Sequence, residues 1–474
     1  MTTTARRQTA PPQAPRRHSR WIEAWDPEDA GFWARTGARV ARRNLVCSVF
    51  TEHIGFSVWS LWSVFVLFLT PAYGISHDPK AAAAQKFLLT LLPTALGAAA
   101  RVPYTFAVAR FGGRNWTCVS AALLLVPVVA AAIVLRPGAS YGMLLATAAL
   151  AGFGGGNFAS SMANINAFYP HRLKGRALGV NAGGGNIGVA VVQLMGLAVL
   201  AITGKDHPRV LLGIYLPLVV LAALCAALFM DNIADVRNEK RAMRDACRSP
   251  HTWLLSLLYI GTFGSFIGFS FAFGQVLQDQ FGAHFRTAGM VDPVRIACLT
   301  FLGPLVGSAA RPAGGWLADR FGGARTTLAA FAGMAAGAAA VLAASGLRSP
   351  GLFCAGFLIL FALSGLGNGS AYTMIPAVFG ARAQQVAAEG AGPAEDGPAQ
   401  NGRAARRLSS AVIGIAGAIG AGGGVLVNIA FRQSFLASGT GGPAYAAFIG
   451  FYLICMAVTW LVYLRPSPRR LPGV

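Results

Sequence analysis

The chain has 474 residues, of which 55% are hydrophobic and only 12% are charged. A soluble domain carries about 25% charged residues, so this composition excludes an ordinary water-soluble protein. The formal net charge of +22 would suggest a nucleic-acid partner on a soluble protein, but most basic residues stand in short gaps between apolar runs. Membrane topology explains them there, and we expect no nucleic-acid partner.

The N-terminal segment, residues 1–43, is rich in Arg, Pro and Thr and has no apolar core of a cleavable signal peptide. It is predicted to be a disordered, basic, cytoplasmic tail.

Apolar runs follow that are long enough for membrane helices, which need about 20 residues to cross the hydrocarbon layer. The first six cover 45–70, 85–110, 115–135, 140–168, 175–203 and 210–231. The second six cover 252–278, 293–318, 325–346, 351–379, 408–431 and 444–464. The predicted fold is therefore an all-α integral membrane protein with 12 transmembrane helices in two six-helix bundles.

The two bundles are predicted over residues 44–231 and 251–464, joined by a basic cytoplasmic linker at 232–250 and followed by a cytoplasmic tail at 465–474. Within the second bundle, residues 381–407 are rich in Ala, Gly, Pro and acids. That composition predicts a flexible cytoplasmic insertion.

The basic residues between the spans predict the orientation. With the N-terminus inside, about 28 Lys and Arg fall in cytoplasmic segments and about 9 fall outside. A multi-pass protein of the cytoplasmic membrane, with both termini in the cytoplasm, is expected.

An internal repeat relates the two halves. Residues 101–113 read RVPYTFAVARFGG and residues 311–323 read RPAGGWLADRFGG, so both contain R-x8-R-F-G-G. A second echo, at nearly the same separation, is GGGNFASSM (154–162) against LGNGSAYTM (366–374). The repeat predicts two pseudosymmetric bundles with a binding site between them near the membrane midplane.

Arg101 and Arg311 open the repeated motif and lie about 13 Å into the membrane, at 1.5 Å per residue. An Arg near the bilayer centre costs from about 2.5 to over 10 kcal/mol, and neither helix core supplies an acid. Two guanidinium groups facing each other repel unless an anion lies between them, and Arg suits a planar oxyanion. The alternative is that each Arg caps carbonyl groups or pairs with an acid on another helix, of which Glu52 is the only one near a helix core of the first half.

Glycine-rich stretches, GRALGVNAGGGNIG (175–188) and GIAGAIGAGGG (414–424), begin the fifth helix of each half. Each glycine inside a helix costs about 1 kcal/mol, so this density of glycines needs a reason. One explanation is that the helices approach closely and slide against each other, and the other is tight packing without motion. Asn181 and Asn186 are amides inside the first stretch. For each amide there are two interpretations, ligand binding and a hydrogen bond to a neighbouring helix. The predicted hinge residues are Gly183, Gly184, Gly185, Gly414, Gly417 and Gly420.

The R-F-G-G turns, with Arg110 in one half and Asp319 and Arg320 in the other, are predicted to form a cytoplasmic conformational latch. Seven dispersed cysteines and seven histidines without ligand spacing indicate no disulfide, no metal and no cofactor. Without a nucleophile or cofactor constellation, an enzyme is not expected.

Several sequence blocks of this chain resemble the motifs of a known family. D-R-F-G-G-A-R (319–325) resembles the loop motif of the major facilitator superfamily, and three further blocks resemble its nitrate/nitrite porter family: GFGGGNFASSMANINAFYP (152–170), GRALGVNAGGGNI (175–187) and GIAGAIGAGGG (414–424). The last two match the nitrate signature regions of that family. Ala182 departs from the pattern, where relatives often carry Gly.

The resemblance implies a major facilitator fold and assigns roles to residues of this chain. It implies substrate binding by Arg101 and Arg311, and contact of the anion with Asn186. It implies further anion contacts from the aromatic residues Tyr259, Phe158 and Phe263. It also implies a helix bend at Gly414.

The resemblance further implies a monomeric secondary transporter that moves nitrate and nitrite by alternating access, in nitrate assimilation. Antiport is favoured because no acid or His near the midplane offers an obvious proton carrier, and because an empty site with two facing positive charges should resist switching. The alternatives are nitrate–proton symport and, in a different class, a passive anion channel or sensor. Glycine-rich helices in both halves favour a rocking carrier over a fixed pore.

Overall fold

A computed structural model describes residues 17–18, 20–204, 207–234, 240–287, 290–389 and 397–466. Within them, twelve long helices form two sets of six, as predicted. The first set is α1 (Ala38–Phe68), α2 (Pro79–Phe111), α3 (Gly113–Val134), α4 (Tyr141–Phe168), α5 (His171–Thr203) and α6 (Arg209–Phe229). The second is α7 (Pro250–His284), α8 (Val294–Phe321), α9 (Gly323–Gly346), α10 (Pro350–Glu389), α11 (Gly397–Ser438) and α12 (Gly442–Leu464).

Eleven of these helices are long and apolar enough to cross a membrane. The other is α1, whose 31 residues span about 46 Å at 1.5 Å per residue. Its serines and a buried acid lower its hydropathy, but it packs against α4 and α5 inside the first bundle. We therefore count α1 as the twelfth spanning helix.

The repeated R-F-G-G motif ends a helix in the same way in both halves. Gly112 stops α2 with φ +87° and Gly322 stops α8 with φ +92°, a region that favours glycine because it has no Cβ. Each glycine N–H donates to the carbonyl four residues earlier, Val108 and Ala318, at 2.9 Å. The next helix starts at once, which fixes the entry of α3 and α9.

Glycines also bring helix backbones into direct contact. A Cβ on Gly154 would lie 2.2 Å from the carbonyl oxygen of Gly55, and one on Gly365 would lie 2.0 Å from that of Gly307. On α10, a Cβ at Gly369 would lie 2.1 Å from the carbonyl oxygen of Arg311. These crossings hold α4 against α1 and α10 against α8, as small residues do in membranes.

The described part of the N-terminal segment is ordered, which differs from the predicted disorder. Strand β1 (Arg17–His18) pairs antiparallel with β2 (Trp21–Ile22), and β2 pairs parallel with β3 (Asn232–Ile233) of the linker. Ile22 is only 1% exposed, and Trp25 packs edge-on against α4 at Phe168. Apolar and aromatic residues thus anchor a segment whose Arg and Pro content suggested a free tail.

The insertion also differs from the prediction of a flexible loop. Helix α10 continues to Glu389 and α11 begins at Gly397, so both described flanks of the segment 381–407 are helical. Alanine has the highest helix propensity, and the segment is rich in it. Residues 390–396 lie outside the described residues.

The two halves contact each other at one end of the bundle, which the charge distribution predicts to be the outer side. Thr90 Oγ1 of α2 donates to Asn428 Oδ1 of α11 at 2.9 Å. One turn away, the rings of Phe87 and Phe431 stack at 5.8 Å with an interplanar angle of 12°. These contacts, about 16 Å along α2 from Arg101 at 1.5 Å per residue, close that end.

Candidate anion-binding site

Arg101 is fully buried and links the two halves. Its Nε donates to the carbonyl oxygen of Gly155 at 3.1 Å, and its Nη1 donates to that of Gly417, in the second half, at 2.8 Å. Its Nη2 has no hydrogen-bond partner among the described residues. An unpartnered buried donor on a cation is costly, so this nitrogen is available to an anionic ligand. The predicted alternative of carbonyl capping accounts for only part of this guanidinium group.

Aromatic rings surround the Arg101 guanidinium. Its central carbon lies 4.6 Å from the ring centre of Phe158, 5.0 Å from that of Phe263 and 5.5 Å from that of Trp59. Such contacts stabilise a desolvated cation by up to about 2 kcal/mol. Phe158 and Phe263 come from opposite halves, and their rings stack at 6.0 Å with an interplanar angle of 27°. A planar ion between two ring faces needs about 7 Å, twice a van der Waals contact, so these rings must part by about 1 Å to hold one.

Arg311, which is 7% exposed, reaches the same cluster. Its Nη2 donates to the Tyr259 hydroxyl at 3.3 Å, and its central carbon lies 5.7 Å from the Tyr372 ring centre. Its Nη1 has no partner within the part of the chain described. Tyr259 stacks on Phe263 at 5.3 Å, so a continuous chain of contacts connects the two arginines.

A local irregularity in α7 presents Tyr259 and Phe263 together. The helix contains a π-helical turn at Ile260–Gly264, a feature that is rare and often occurs at functional sites. Tyr259 immediately precedes this turn and Phe263 lies within it. No periodicity in the sequence indicates the turn, although the neighbouring glycines permit it.

The two amides of α5 behave differently. Asn181 Nδ2 donates to Glu52 Oε2 at 2.7 Å and to Ser161 Oγ at 2.8 Å, so its amide nitrogen serves an interhelical network. Asn186 is fully buried, and neither its Nδ2 nor its Oδ1 has a partner among the described residues. Asn186 therefore remains free to bind a ligand, since buried amide atoms are usually hydrogen-bonded.

The charges of the site do not cancel. Arg101 and Arg311 interact electrostatically with each other and with Glu52, which is 0% exposed in α1. With the carboxyl ionised, these three side chains sum to one positive charge. One monovalent anion would neutralise it.

Comparisons with known proteins identify the family of the chain. A family model of the Major Facilitator Superfamily matches residues 45–392. The nitrate/nitrite transporter NarU of Salmonella typhimurium is 38% identical over 95% of this chain and 97% of its own length. The chain belongs to the nitrate/nitrite porter family of the major facilitator superfamily. A second relative of this porter, named a probable nitrate/nitrite antiporter, NarK2 of Thermus thermophilus, is 35% identical over 76% of this chain and 83% of its own.

Solved structures support the same fold for the porter. The xylose transporter XylE from E. coli, in a partially occluded inward open conformation, superimposes with a TM-score of 0.66 and covers 91% of this chain and 99% of its own. At 11% sequence identity this likeness concerns the fold alone. Family and fold together make this protein a membrane transporter and not an enzyme.

The predicted hinge glycines divide into two groups by the space around them. A Cβ would lie 2.4 Å from Val49 at Gly184, 2.3 Å from Glu52 at Gly185 and 2.3 Å from Tyr259 at Gly420. At these three positions, close packing requires glycine. A Cβ at Gly183 would have no neighbouring atom within 4 Å. At Gly414 and Gly417 the nearest atoms would lie 3.5 Å and 3.8 Å from the Cβ, which are ordinary van der Waals distances. Packing does not explain the second group, so the hinge prediction is kept for it.

The predicted latch residues lie at the helix ends beside the two glycine turns. Arg110 lies over the ring of Phe111 at 5.5 Å, and Arg320 lies over that of Phe321 at 5.4 Å. Asp319 is exposed and forms no ion pair among the described residues. The latch remains a prediction.

Sequence reasoning missed some side chains of the site. The sequence indicates Glu52 only as a candidate ion-pair partner, whereas in the structure it interacts electrostatically with both arginines. Tyr372 belongs to the repeated block 366–374, and that repeat is the sequence signal that indicates it. Trp59 sits in an aromatic-rich helix with no distinguishing spacing. Asn368, whose amide atoms are buried and without partners in the part of the chain described, also lies in the repeated block.

The described residues contain no group of His, Cys, Asp or Glu that could hold a metal ion. All seven cysteines are free thiols.

Proposed function

We propose that this porter carries nitrate and nitrite across the cytoplasmic membrane by alternating access. Two buried arginines carry the proposal, Arg101 from one half and Arg311 from the other. Each has one guanidinium nitrogen without a hydrogen-bond partner in the part of the chain that the structure describes. Relatives of this chain are named as nitrate/nitrite transporters, and a third as a nitrite extrusion protein. Both the chemistry and the relatives therefore support a small anion as the substrate.

The residues of the site suit a planar monovalent oxyanion. The free nitrogens of Arg101 and Arg311 donate charge-assisted hydrogen bonds to its oxygens, which are about twice as strong as neutral ones. Phe158 and Phe263 contact its two faces and exclude water. Asn186 supplies a further amide donor, so that oxygens beyond reach of the arginines are also hydrogen-bonded.

Transport follows from the position of this site between the halves. Contacts such as Thr90 with Asn428 hold the predicted outer side closed in this state. Rocking of one half against the other would part those contacts and expose the same site outward. We propose that a single chain suffices, with both termini in the cytoplasm.

We further propose that the transporter exchanges nitrate for nitrite. The carrier without anion keeps an excess positive charge in a low-dielectric site, and either anion removes it, so switching is favoured when one of the two is bound. The name of the Thermus relative, an antiporter, supports this mode.

Counterflow in proteoliposomes tests the proposal. Vesicles containing the purified full-length protein are loaded with nitrite, labelled nitrate is added outside at equal pH, and uptake is compared with vesicles loaded with chloride. We expect nitrate entry that depends on internal nitrite and saturates at the rates of a carrier. Equal entry into nitrite- and chloride-loaded vesicles at equal pH would contradict exchange. A flux of more than about a million ions per second through single molecules would indicate the channel alternative.

A further inference from the structure

Glu52 is a wholly buried acid whose hydrogen bonding is incomplete. Its Oε2 accepts from the hydroxyl of Ser161 and from Asn181 Nδ2, while its Oε1 has no partner among the described residues. Gly185 of α5 presses against it, since a Cβ there would lie 2.3 Å from Oε1. A buried carboxylate with one unsatisfied oxygen is costly unless opposite charges compensate it.

The charged groups that compensate Glu52 are the two substrate arginines. Arg101 on α2 and Arg311 on α8 both attract the carboxylate electrostatically, yet neither forms an ion pair with it in the described structure. Tyr372 of α10 also interacts with Glu52. The carboxylate therefore depends on the same positive charge that an anionic substrate would use.

Other titratable groups around α1 have different partners. From α7, Tyr259 accepts from Arg311, and from α6, Tyr215 is hydrogen-bonded to Ser57. His53, the next residue of α1, has its Nδ1 3.2 Å from the carbonyl oxygen of Gly184. The groups on α4 and α5 that touch Glu52 are a hydroxyl and an amide, which do not titrate.

We propose that Glu52 is a proton-binding residue of the anion site, which takes up a proton as the anion binds. This inference rests on the proposed function, because the anion it concerns is nitrate. Ionised Glu52 and a bound nitrate compete for the charge of Arg101 and Arg311, and protonation of Glu52 removes that competition. By linkage, protonation strengthens nitrate binding by the same factor by which nitrate strengthens proton binding.

The consequence for transport is a second driving force. With nitrate bound and Glu52 protonated, the site carries one positive charge, the same as the empty site with Glu52 ionised. In this proton-coupled form the empty and the loaded carrier have the same site charge, so the charge argument for exchange applies only while Glu52 stays ionised. An inward proton gradient can therefore drive nitrate into vesicles that contain no exchangeable anion, and internal nitrite supports exchange on the same protein.

The first test is nitrate uptake by wild type and Glu52→Gln in proteoliposomes, with the membrane potential clamped. Wild type should take up nitrate into chloride-loaded vesicles when the outside is acidic, and Glu52→Gln should lose at least about nine-tenths of this uptake. Glu52→Asp, which keeps a titratable group, should recover part of it. Asp26→Asn, an exposed acid, is the control and should behave like wild type.

The second test is nitrate binding to the detergent-solubilised full chain, measured by tryptophan fluorescence from pH 5 to pH 9. Wild type should bind about tenfold or more weakly at high pH. Glu52→Gln, a neutral isostere, should bind at all pH values as tightly as wild type does in acid.

The outcomes separate this inference from the proposed function. If wild type exchanges nitrate for nitrite but ignores the proton gradient, or if Glu52→Gln keeps gradient-driven uptake or the pH dependence of binding, Glu52 has no such role. If Glu52→Gln fails to insert, Glu52→Asp decides: a shifted or lost pH dependence of nitrate binding supports the role of Glu52, and a pH dependence identical to that of wild type overturns it. If wild type neither binds nor exchanges nitrate, the proposed function itself fails.

Discussion

At the scale of single residues, the two repeated arginines are not used equivalently. Arg101 donates to two carbonyl groups, one of them on the opposite half, whereas Arg311 donates to a tyrosine hydroxyl. Each nonetheless keeps one terminal nitrogen without a partner in the described structure. The internal repeat therefore explains why the two arginines occupy equivalent positions. Their hydrogen-bond partners differ, and so do their roles.

Replacing either arginine with lysine should test this division of donors. Lysine keeps the charge but is a single point of charge on a flexible stem, so it cannot hold its protein partner and the anion together. Loss of one charge-assisted hydrogen bond costs about 1.5–3 kcal/mol, and we expect Arg101→Lys and Arg311→Lys each to weaken nitrate binding by roughly 10- to 150-fold. Binding is measured by fluorescence and insertion by membrane yield. Arg136→Lys, at an exposed position, is the control, and near-normal binding by either site variant would remove that arginine from the site.

At the scale of helices, the Gly-rich stretch of α11 combines two kinds of glycine. Gly420 is required by packing, because a Cβ would lie 2.3 Å from the Tyr259 ring. Gly417 has room for a Cβ, with Phe158 at 3.8 Å, and its carbonyl accepts from Arg101. Helix α11 therefore packs against Tyr259, the hydrogen-bond partner of Arg311. It also accepts a hydrogen bond from Arg101 through a backbone carbonyl group.

Alanine substitutions should separate these two uses. Gly420→Ala displaces Tyr259 and, through it, Arg311, so nitrate binding should weaken by about tenfold, as expected for loss of one hydrogen bond to a charged group. Gly417→Ala should leave binding within about threefold of wild type but slow exchange, because alanine removes backbone freedom that a bending helix needs. Binding and exchange are measured on the same preparations, with Gly183→Ala as a second open position. Normal exchange by Gly417→Ala would refute a hinge there.

The helices could be predicted from the sequence because each is a local property, an apolar run ended by Gly, Pro or charge. The arginines could also be predicted, since a charge inside an apolar run is anomalous by itself. The role of Glu52 could not, because its partners Ser161 and Asn181 lie on other helices and meet it only through packing. The pairing of β2 with β3 was missed for the same reason, since the N-terminal segment and the linker are far apart in sequence.

At the scale of the whole molecule, the two halves touch at the site and at the predicted outer end. At the site, contacts such as Arg101 with Gly417 join residues that must separate or slide if the halves rock. At the outer end, Thr90 and Asn428, with the stacked rings of Phe87 and Phe431, form a separate point of closure. Alternating access requires the second set to break while the protein stays folded.

A reversible cross-link at the outer end tests that requirement. Thr90→Cys and Asn428→Cys are combined in a background whose native cysteines are replaced, since the two native side-chain oxygens lie 2.9 Å apart. Oxidation should hold the outer side closed and lower exchange to about a tenth or less, because the site then has access to one side only, and reduction should restore the rate. Each single-cysteine variant, oxidised in the same way, is the control. Full exchange by the cross-linked protein would mean that these contacts persist throughout the cycle, and the opening of the site would then have to be sought in bending of α5 and α11 instead of rocking of the halves.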